Sequence, residues 1–324
     1  MAEPLLSARG VTVTFATRAG PRMAVRGVDL DVAAGETVAI VGESGSGKSA
    51  FARAVLRQHQ PPFTRSRVSV GGSILLGRAA GPVDLAQADA RALRAVRARE
   101  IAMVFQEAMS ALNPVMRIGR QVAEAARAAE PGLSRAAADA RAAALLERMG
   151  VADAARRARD FPHQLSGGQR QRVMIAIAAA RRPRLLIADE PTTALDVTVQ
   201  ARLLALLAEL KRESGMAMLF ITHDLGVVRR IADRVAVMYA GRLIELAPAA
   251  TFFARPRHPY AAALLDSAPG RGGAPLAGRA PEPWAAPEGC AFHPRCPAAD
   301  ATCRREPPQA QTPAGWARCW RPVA

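Results

Sequence analysis

The octapeptide Gly42-Glu43-Ser44-Gly45-Ser46-Gly47-Lys48-Ser49 has the spacing G-x-x-x-x-G-K-S. Glycines at these positions let the backbone turn tightly and aim amide N–H groups inward, forming a nest for phosphate oxygens. The helix that follows adds its positive end. Lys48 is placed to reach the terminal phosphates, and the Ser49 hydroxyl suits Mg²⁺. A second group is Leu185-Leu186-Ile187-Ala188-Asp189-Glu190-Pro191, an apolar run that ends in two acids. Such a strand sets carboxylates at the carboxyl end of a parallel sheet, where ligands bind in open α/β folds. There Asp189 suits Mg²⁺ and Glu190 suits polarisation of an attacking water. A third group is Leu165-Ser166-Gly167-Gly168-Gln169, ahead of a helical stretch. Ser166 can cap that helix, and the two glycines allow close backbone approach, which builds a second phosphate-facing helix end.

These groups need elements to hold them. Leu6–Phe15 and Gly27–Val32 alternate as strands, and Thr37–Val41 is a short apolar run of the kind that fills a buried parallel strand. Val68–Val70 and Ser73–Leu76 read as a hairpin turning at Gly71-Gly72. Residues 117–160 are rich in Ala, Arg and Glu with helical spacing of Leu and Val. Pro131-Gly132 breaks one helix there, Ser134 caps the next and Gly150 ends it. Further strands fall at Leu185–Ala188, Met218–Thr222 and Arg234–Met238, with a helix at Thr198–Ser214 stopped by Gly215. Ten of the 22 residues from Ala268 to Gly289 are Gly or Pro, so that stretch reads as an irregular linker. The sum is an α/β chain with a small antiparallel sheet beside a parallel core.

Composition narrows the class. The chain has 324 residues, half of them hydrophobic, which excludes disorder, a collagen-like chain and a small disulfide scaffold. The longest strongly apolar run, Val173–Ala180, is far below the about 18–20 residues a membrane helix needs. No secretory signal is expected at the start, so the cytosol is the expected compartment. Net charge is +16, and all but Lys48 and Lys211 of the 44 basic residues are arginine. The arginines are scattered, so charge alone names no partner. All four cysteines, Cys290, Cys296, Cys303 and Cys319, lie in the last 35 residues. Such clustering in a reducing compartment points to a metal or cluster site, and four thiolates suit zinc or [4Fe–4S].

With these motifs in this order, residues 1–250 resemble the ATPase subunit of an ABC transporter. Leu165–Gln169 matches the family signature as written. Gln106, in Val-Phe-Gln-Glu-Ala-Met, matches the Q-loop glutamine. Thr193-Ala194-Leu195-Asp196 resembles the D-loop, and His223, in Ile-Thr-His-Asp, matches the switch histidine. Phe15 stands where the family often stacks an aromatic on adenine, with Val25 beside it. Ala108 departs from the proline common in relatives. The resemblance implies a P-loop NTPase (RecA-like) core with an antiparallel β subdomain and a helical subdomain near 107–165. It implies ATP and Mg²⁺ as ligands, the latter through Ser49, Gln106 and Asp189. Glu190, His223 and Gln106 would be the catalytic set. Each ATP would lie between the Gly42–Ser49 loop of one subunit and the partner's Ser166 signature.

Residues 251–324 resemble the C-terminal extension of dipeptide/oligopeptide importer ATPases. The marks are Arg257-His258-Pro259-Tyr260 with Leu264-Leu265, and the tail Gly289-Cys290-Ala291-Phe292-His293-Pro294-Arg295-Cys296-Pro297 followed by Cys303 and Cys319. That branch implies a [4Fe–4S] cluster on the four cysteines; zinc and free thiols are the alternatives, and His293 is read as a loop residue. It also implies two permease subunits, a second ATPase, an extracytoplasmic binding protein and a peripheral place on the cytoplasmic face of the membrane. Di- or oligopeptides are the expected cargo, with nickel or glutathione import as the near alternative. A soluble ABC ATPase acting on ribosomes or DNA is the rival class, and an exporter ATPase a second rival.

Overall fold

A computed structural model describes residues 3–59, 67–107, 111–192, 196–268, 276, 278–312 and 315–323. Its strands in chain order are β1 (Leu6–Thr17), β2 (Gly20–Val32), β3 (Thr37–Val41), β4 (Val68–Leu76), β5 (Val83–Asp84), β6 (Ile101–Val104), β7 (Leu185–Asp189), β8 (Ala217–Ile221), β9 (Arg234–Tyr239), β10 (Arg242–Pro248), β11 (Gln309–Thr312) and β12 (Gly315–Arg318). The chain divides into two compact units. One holds residues 1–33, 37–88 and 220–324; the other holds 34–36 and 89–219. The chain passes from the second to the first within β8.

In the first unit β1 pairs antiparallel with β2 on one side and β4 on the other. Valines and leucines alternate inward along β1 and β2, the period-two pattern of a half-buried sheet. The hairpin expected within 68–76 does not form: Val68–Leu76 is one continuous strand. Gly71 and Gly72 serve a bulge instead. The register with β1 slips between Arg9 and Thr12, where Gly10 has φ of +56°. A side chain at Gly72, itself at φ +80°, would collide with the carbonyls of Arg9 and Gly10.

The same unit carries β3 parallel to β9, with Val38 opposite Arg234 and Val41 opposite Val237. β9 continues antiparallel into β10, β10 into β12, and β12 into β11. Every residue of β3 is buried, as expected of a strand covered on both faces. Val41, Val237, Tyr239, Phe252, Tyr260 and Phe292 share one core cluster, so the C-terminal segment is packed into the first unit.

That packing is anchored on a buried acid. Glu245 of β10 is 1% exposed and accepts the backbone N–H groups of Arg257 (3.0 Å) and His258 (2.7 Å). Burial raises its pKa above the ordinary carboxylate range. His258 in turn caps the helix Pro259–Asp266, its Nδ1 accepting from the Tyr260 N–H at 3.0 Å.

The second unit pairs β6 with β7 in parallel, Ile101 opposite Leu185 and Val104 opposite Ala188. Helices Ile118–Ala129, Arg135–Arg148 and Gly167–Ala180 pack on one another in this unit. Ser134 accepts the Ala137 N–H and starts the middle helix, and Gly150 follows its end at φ +71°. Gly119 approaches Ala158 so closely that a β-carbon would lie 2.7 Å from its methyl group. Gly215, at φ +66°, ends the helix Val197–Ser214.

Burial holds His258 neutral, with its pKa lowered to about 3. A group whose folded pKa is depressed stabilises fully above its unfolded value, near 6.5, and progressively less as pH falls toward the folded value. Between pH 7.5 and 5 this residue should cost about 2 kcal/mol of stability. His258→Asn, which keeps a capping side chain, should lose that much less over the same range in urea unfolding.

Candidate functional site

The phosphate loop joins β3 to the helix Lys48–Val55. Its glycines are required by geometry. Gly42 has φ of +150° and a side chain there would strike the Met238 carbonyl; Gly47, at +105°, would strike that of Ala24. The Ser46 carbonyl accepts the Gly241 N–H at 2.8 Å, tying the loop to the turn after β9. Gly47 occupies the cap position of the helix and supplies no side-chain cap, and the helix N-terminus carries the positive end of its dipole. Lys48 is 5% exposed and folds over the loop, donating to the carbonyls of Gly42 (2.7 Å) and Glu43 (2.8 Å). Phe15 is half-buried and packs edge-on against His59, ring centres 5.3 Å apart. Val25 is fully buried opposite Val13 in the β1–β2 ladder. His223 is exposed just after β8, ahead of the helix that Asp224 caps.

In the second unit β7 delivers Asp189, 1% exposed, and then Glu190. Glu190 has φ of +48°. A β-carbon in the left-handed region is a strain that surrounding contacts must hold. Gln106, after β6, donates its Nε2 to Glu190 Oε2 at 3.1 Å. The Q-loop glutamine and the second acid of β7 are thus hydrogen-bonded partners, which spacing alone does not reveal. Ala108, Thr193, Ala194 and Leu195 lie outside the described residues; Asp196 caps Val197–Ser214 by accepting the Val199 N–H at 2.9 Å.

Leu165 is buried while Ser166 and Gly167 are exposed. Ser166 and Gln169 form a reciprocal capping box: Ser166 Oγ accepts the Gln169 N–H (3.3 Å) and Gln169 Oε1 accepts the Ser166 N–H (2.9 Å). The helix start therefore presents its leading glycine amides to solvent. One residue escapes sequence reasoning here. Gln171, buried on the same helix, donates to the Pro191 carbonyl at 2.7 Å and so braces the residue after Glu190. A polar side chain on an otherwise apolar helix face was the only signal of it.

The four cysteines are free thiols, Cys303 and Cys319 buried and the others half-buried. Among the described residues no three His, Cys, Asp or Glu side chains are grouped to hold a metal ion. The [4Fe–4S] cluster expected on Cys290, Cys296, Cys303 and Cys319 is therefore not supported, and neither is zinc. Burial, the largest cause, pushes the Cys290 and Cys296 thiols up and that of Cys319 to about 11, and neighbouring cysteines add to each shift. Cys303 Sγ donates to Asp300, and Cys319 Sγ accepts the Arg321 N–H. His293 opens a short 3-10 turn, His293–Arg295, rather than lying in a loop, and its Nδ1 meets the Cys290 carbonyl.

Comparison with known proteins fits this geometry. The ABC transporter family profile matches residues 25–193. A peptide import ATP-binding protein of Brucella melitensis is 48% identical, over 94% of this chain and 93% of its own. The chain belongs to the ABC transporter family. A second profile, the C-terminal region of oligopeptide/dipeptide transporters, matches residues 244–303 of this ABC ATPase. The oligopeptide transport ATP-binding protein OppD of Salmonella typhimurium is 44% identical over 99% of this chain and 95% of its own. Among solved structures, the dimeric ATP-binding cassette MJ0796 bound to ADP and Pi superposes with a TM-score of 0.66. It is 28% identical, covering 75% of this chain and 98% of its own. CbiO1 of Clostridium perfringens superposes at 0.60 and 27% identity, covering 78% and 92%. The fold is that of an ABC cassette, and the activity is ATP hydrolysis. Among the described residues no helix is long and apolar enough to cross a membrane.

Ser166→Ala removes one half of the capping box. It should lower stability by about 1 kcal/mol in urea unfolding, and Ser166→Asp should restore most of the loss.

Proposed function

We propose that this ABC ATPase is the energising subunit of a di- or oligopeptide importer. The observation that carries the reading is one chain joining the complete cassette motif set to a C-terminal region matched by the oligopeptide/dipeptide transporter profile. Relatives that align with nearly the whole chain are named for peptide import and for oligopeptide transport. Among the described residues of this chain no helix is long and apolar enough to cross a membrane. In this reading the chain docks on two permease subunits at the cytoplasmic face, beside a second ATPase, while an extracytoplasmic binding protein delivers the cargo.

Its own residues divide the work. The amides of Gly45 to Ser49 and the Lys48 ammonium bind the phosphates of ATP. Lys48 exchanges its present carbonyl partners for phosphate oxygens, which supply more negative charge. Phe15 offers its ring to the adenine. Ser49, Asp189 and Gln106 are the Mg²⁺ set, all hard oxygen donors of the kind Mg²⁺ prefers. When bound, Mg²⁺ neutralises charge on the phosphates. Gln106 offers the carbonyl oxygen of the same amide whose nitrogen meets Glu190. Glu190, held by that contact, accepts the proton of the attacking water, and His223 contacts the γ-phosphate. The exposed Ser166 and Gly167 face the nucleotide of the partner ATPase, and Asp196 lies at the same junction.

Glu190→Gln should retain ATP binding and lose at least about 100-fold in turnover, the usual range for a removed general base. Near-normal phosphate release by that variant would refute the assignment. Tagged chain extracted from membranes in mild detergent should bring down two polytopic permeases and a second ATPase, identified by mass spectrometry. Ribosomal or DNA-bound proteins without a permease would overturn the transport role.

A further inference from the structure

Glu43, the second residue of the phosphate loop, is gripped by the C-terminal segment. Arg295 forms a bidentate fork on its carboxylate, with contacts of 2.7 and 3.0 Å. The Tyr260 hydroxyl accepts the Glu43 backbone N–H at 2.9 Å. The third polar group of Glu43, its carbonyl, accepts Lys48 Nζ at 2.8 Å. Every polar group of this residue is therefore engaged: two by residues more than 200 positions away, and one by the lysine of the loop. Arg295 is itself braced, donating to the Tyr239 hydroxyl at 3.2 Å and the Gly278 carbonyl. Its side chain is 8% exposed against 27% for Glu43. Tyr260 is fully buried against Tyr239 and Phe292, ring centres 4.5 and 5.3 Å away. These residues come from the two marks that sequence reading used only to place the branch: Tyr260 from His-Pro-Tyr, and Arg295 from between Cys290 and Cys296.

A loop built to receive a polyanion has no evident use for a carboxylate. Unpaired, Glu43 would repel incoming phosphate and compete for the Lys48 ammonium. We propose that Arg295 and Tyr260 are positioning residues of the ATP site. Arg295 neutralises and fixes Glu43, Tyr260 fixes its amide, and together they set the loop and Lys48 for phosphate. The C-terminal segment is then a working part of the nucleotide site, and whatever displaces Arg295 loosens ATP. Planar two-point binding makes arginine the residue suited to this task.

The test uses the full purified chain, titrated with a fluorescent ATP analogue, alongside kcat and KM for ATP. This inference rests on the ATPase reading: a wild-type chain that binds no ATP sinks that reading. If wild type binds and the variants match it, only the inference falls. Arg295→Gln should weaken ATP binding and raise KM about tenfold, leaving kcat within about twofold, as expected from one unshielded like charge a few ångströms from phosphate. The deficit should shrink as salt is raised. The double variant E43Q/R295Q should return to within about threefold of wild type, because the offending charge is gone. Tyr260→Phe, which removes only the hydroxyl, should cost about threefold. It carries the test if Arg295→Gln fails to unfold cooperatively. Unchanged affinity in the folded variants would overturn the proposal. So would a double variant as weak as Arg295→Gln, which would mean that Arg295 acts through packing alone.

Discussion

The phosphate loop is possible only because backbone meets backbone where a β-carbon would not fit. Gly42 lies against the Met238 carbonyl and Gly47 against that of Ala24, each at a φ that L side chains avoid. The turn after β9 is drawn in to meet them through the Gly241 contact. The parallel pairing of β3 with β9 supplies the floor on which this approach rests. Loop, strand pair and the segment packed behind them are joined by direct contacts.

Local signals served well where the chemistry is local. The glycine spacing placed the phosphate loop, and Ser134, Ser166 and Gly215 placed helix boundaries because caps and stops depend on one or two residues. The apolar run ending in Asp189-Glu190 placed β7. Sequence failed where the outcome depends on distant partners. Gly71-Gly72 looks like a hairpin turn, yet it answers a bulge at Gly10, some 60 residues earlier in the chain. The grip of Gln106 on Glu190 spans two strands, and that of Gln171 on Pro191 ties a helix to a turn. None of these has a spacing signature. The cysteines illustrate the opposite failure. Their clustering is real in sequence, but among the described residues no three candidate ligands are grouped to hold a metal ion.

The unusual backbone angles at Glu190 and in the phosphate loop are placed on different supports. Glu190 sits in a left-handed conformation at the end of a fully buried strand and is held by an amide. The phosphate loop instead uses residues without side chains to reach unusual backbone angles at little cost. The first arrangement fixes one carboxylate oxygen; the second arrays several N–H groups. In the role proposed above, a proton acceptor uses the former and a polyanion site the latter. The capping box at Ser166 is a third solution, in which side chains settle the amides of Ser166 and Gln169, on either side of the two glycines.

The near absence of lysine has a consequence for chemical modification. The chain carries +16 with two lysines, and one of them is folded into its own loop at 5% exposure. The basic surface is therefore guanidinium, whose charge no physiological pH removes and which acylating metabolites do not neutralise. Lys211, half-buried, is the other lysine amine. Acylation at Lys48 would remove the ammonium that donates to the Gly42 and Glu43 carbonyls. The fold shields that one amine by turning it inward onto the Gly42 and Glu43 carbonyls.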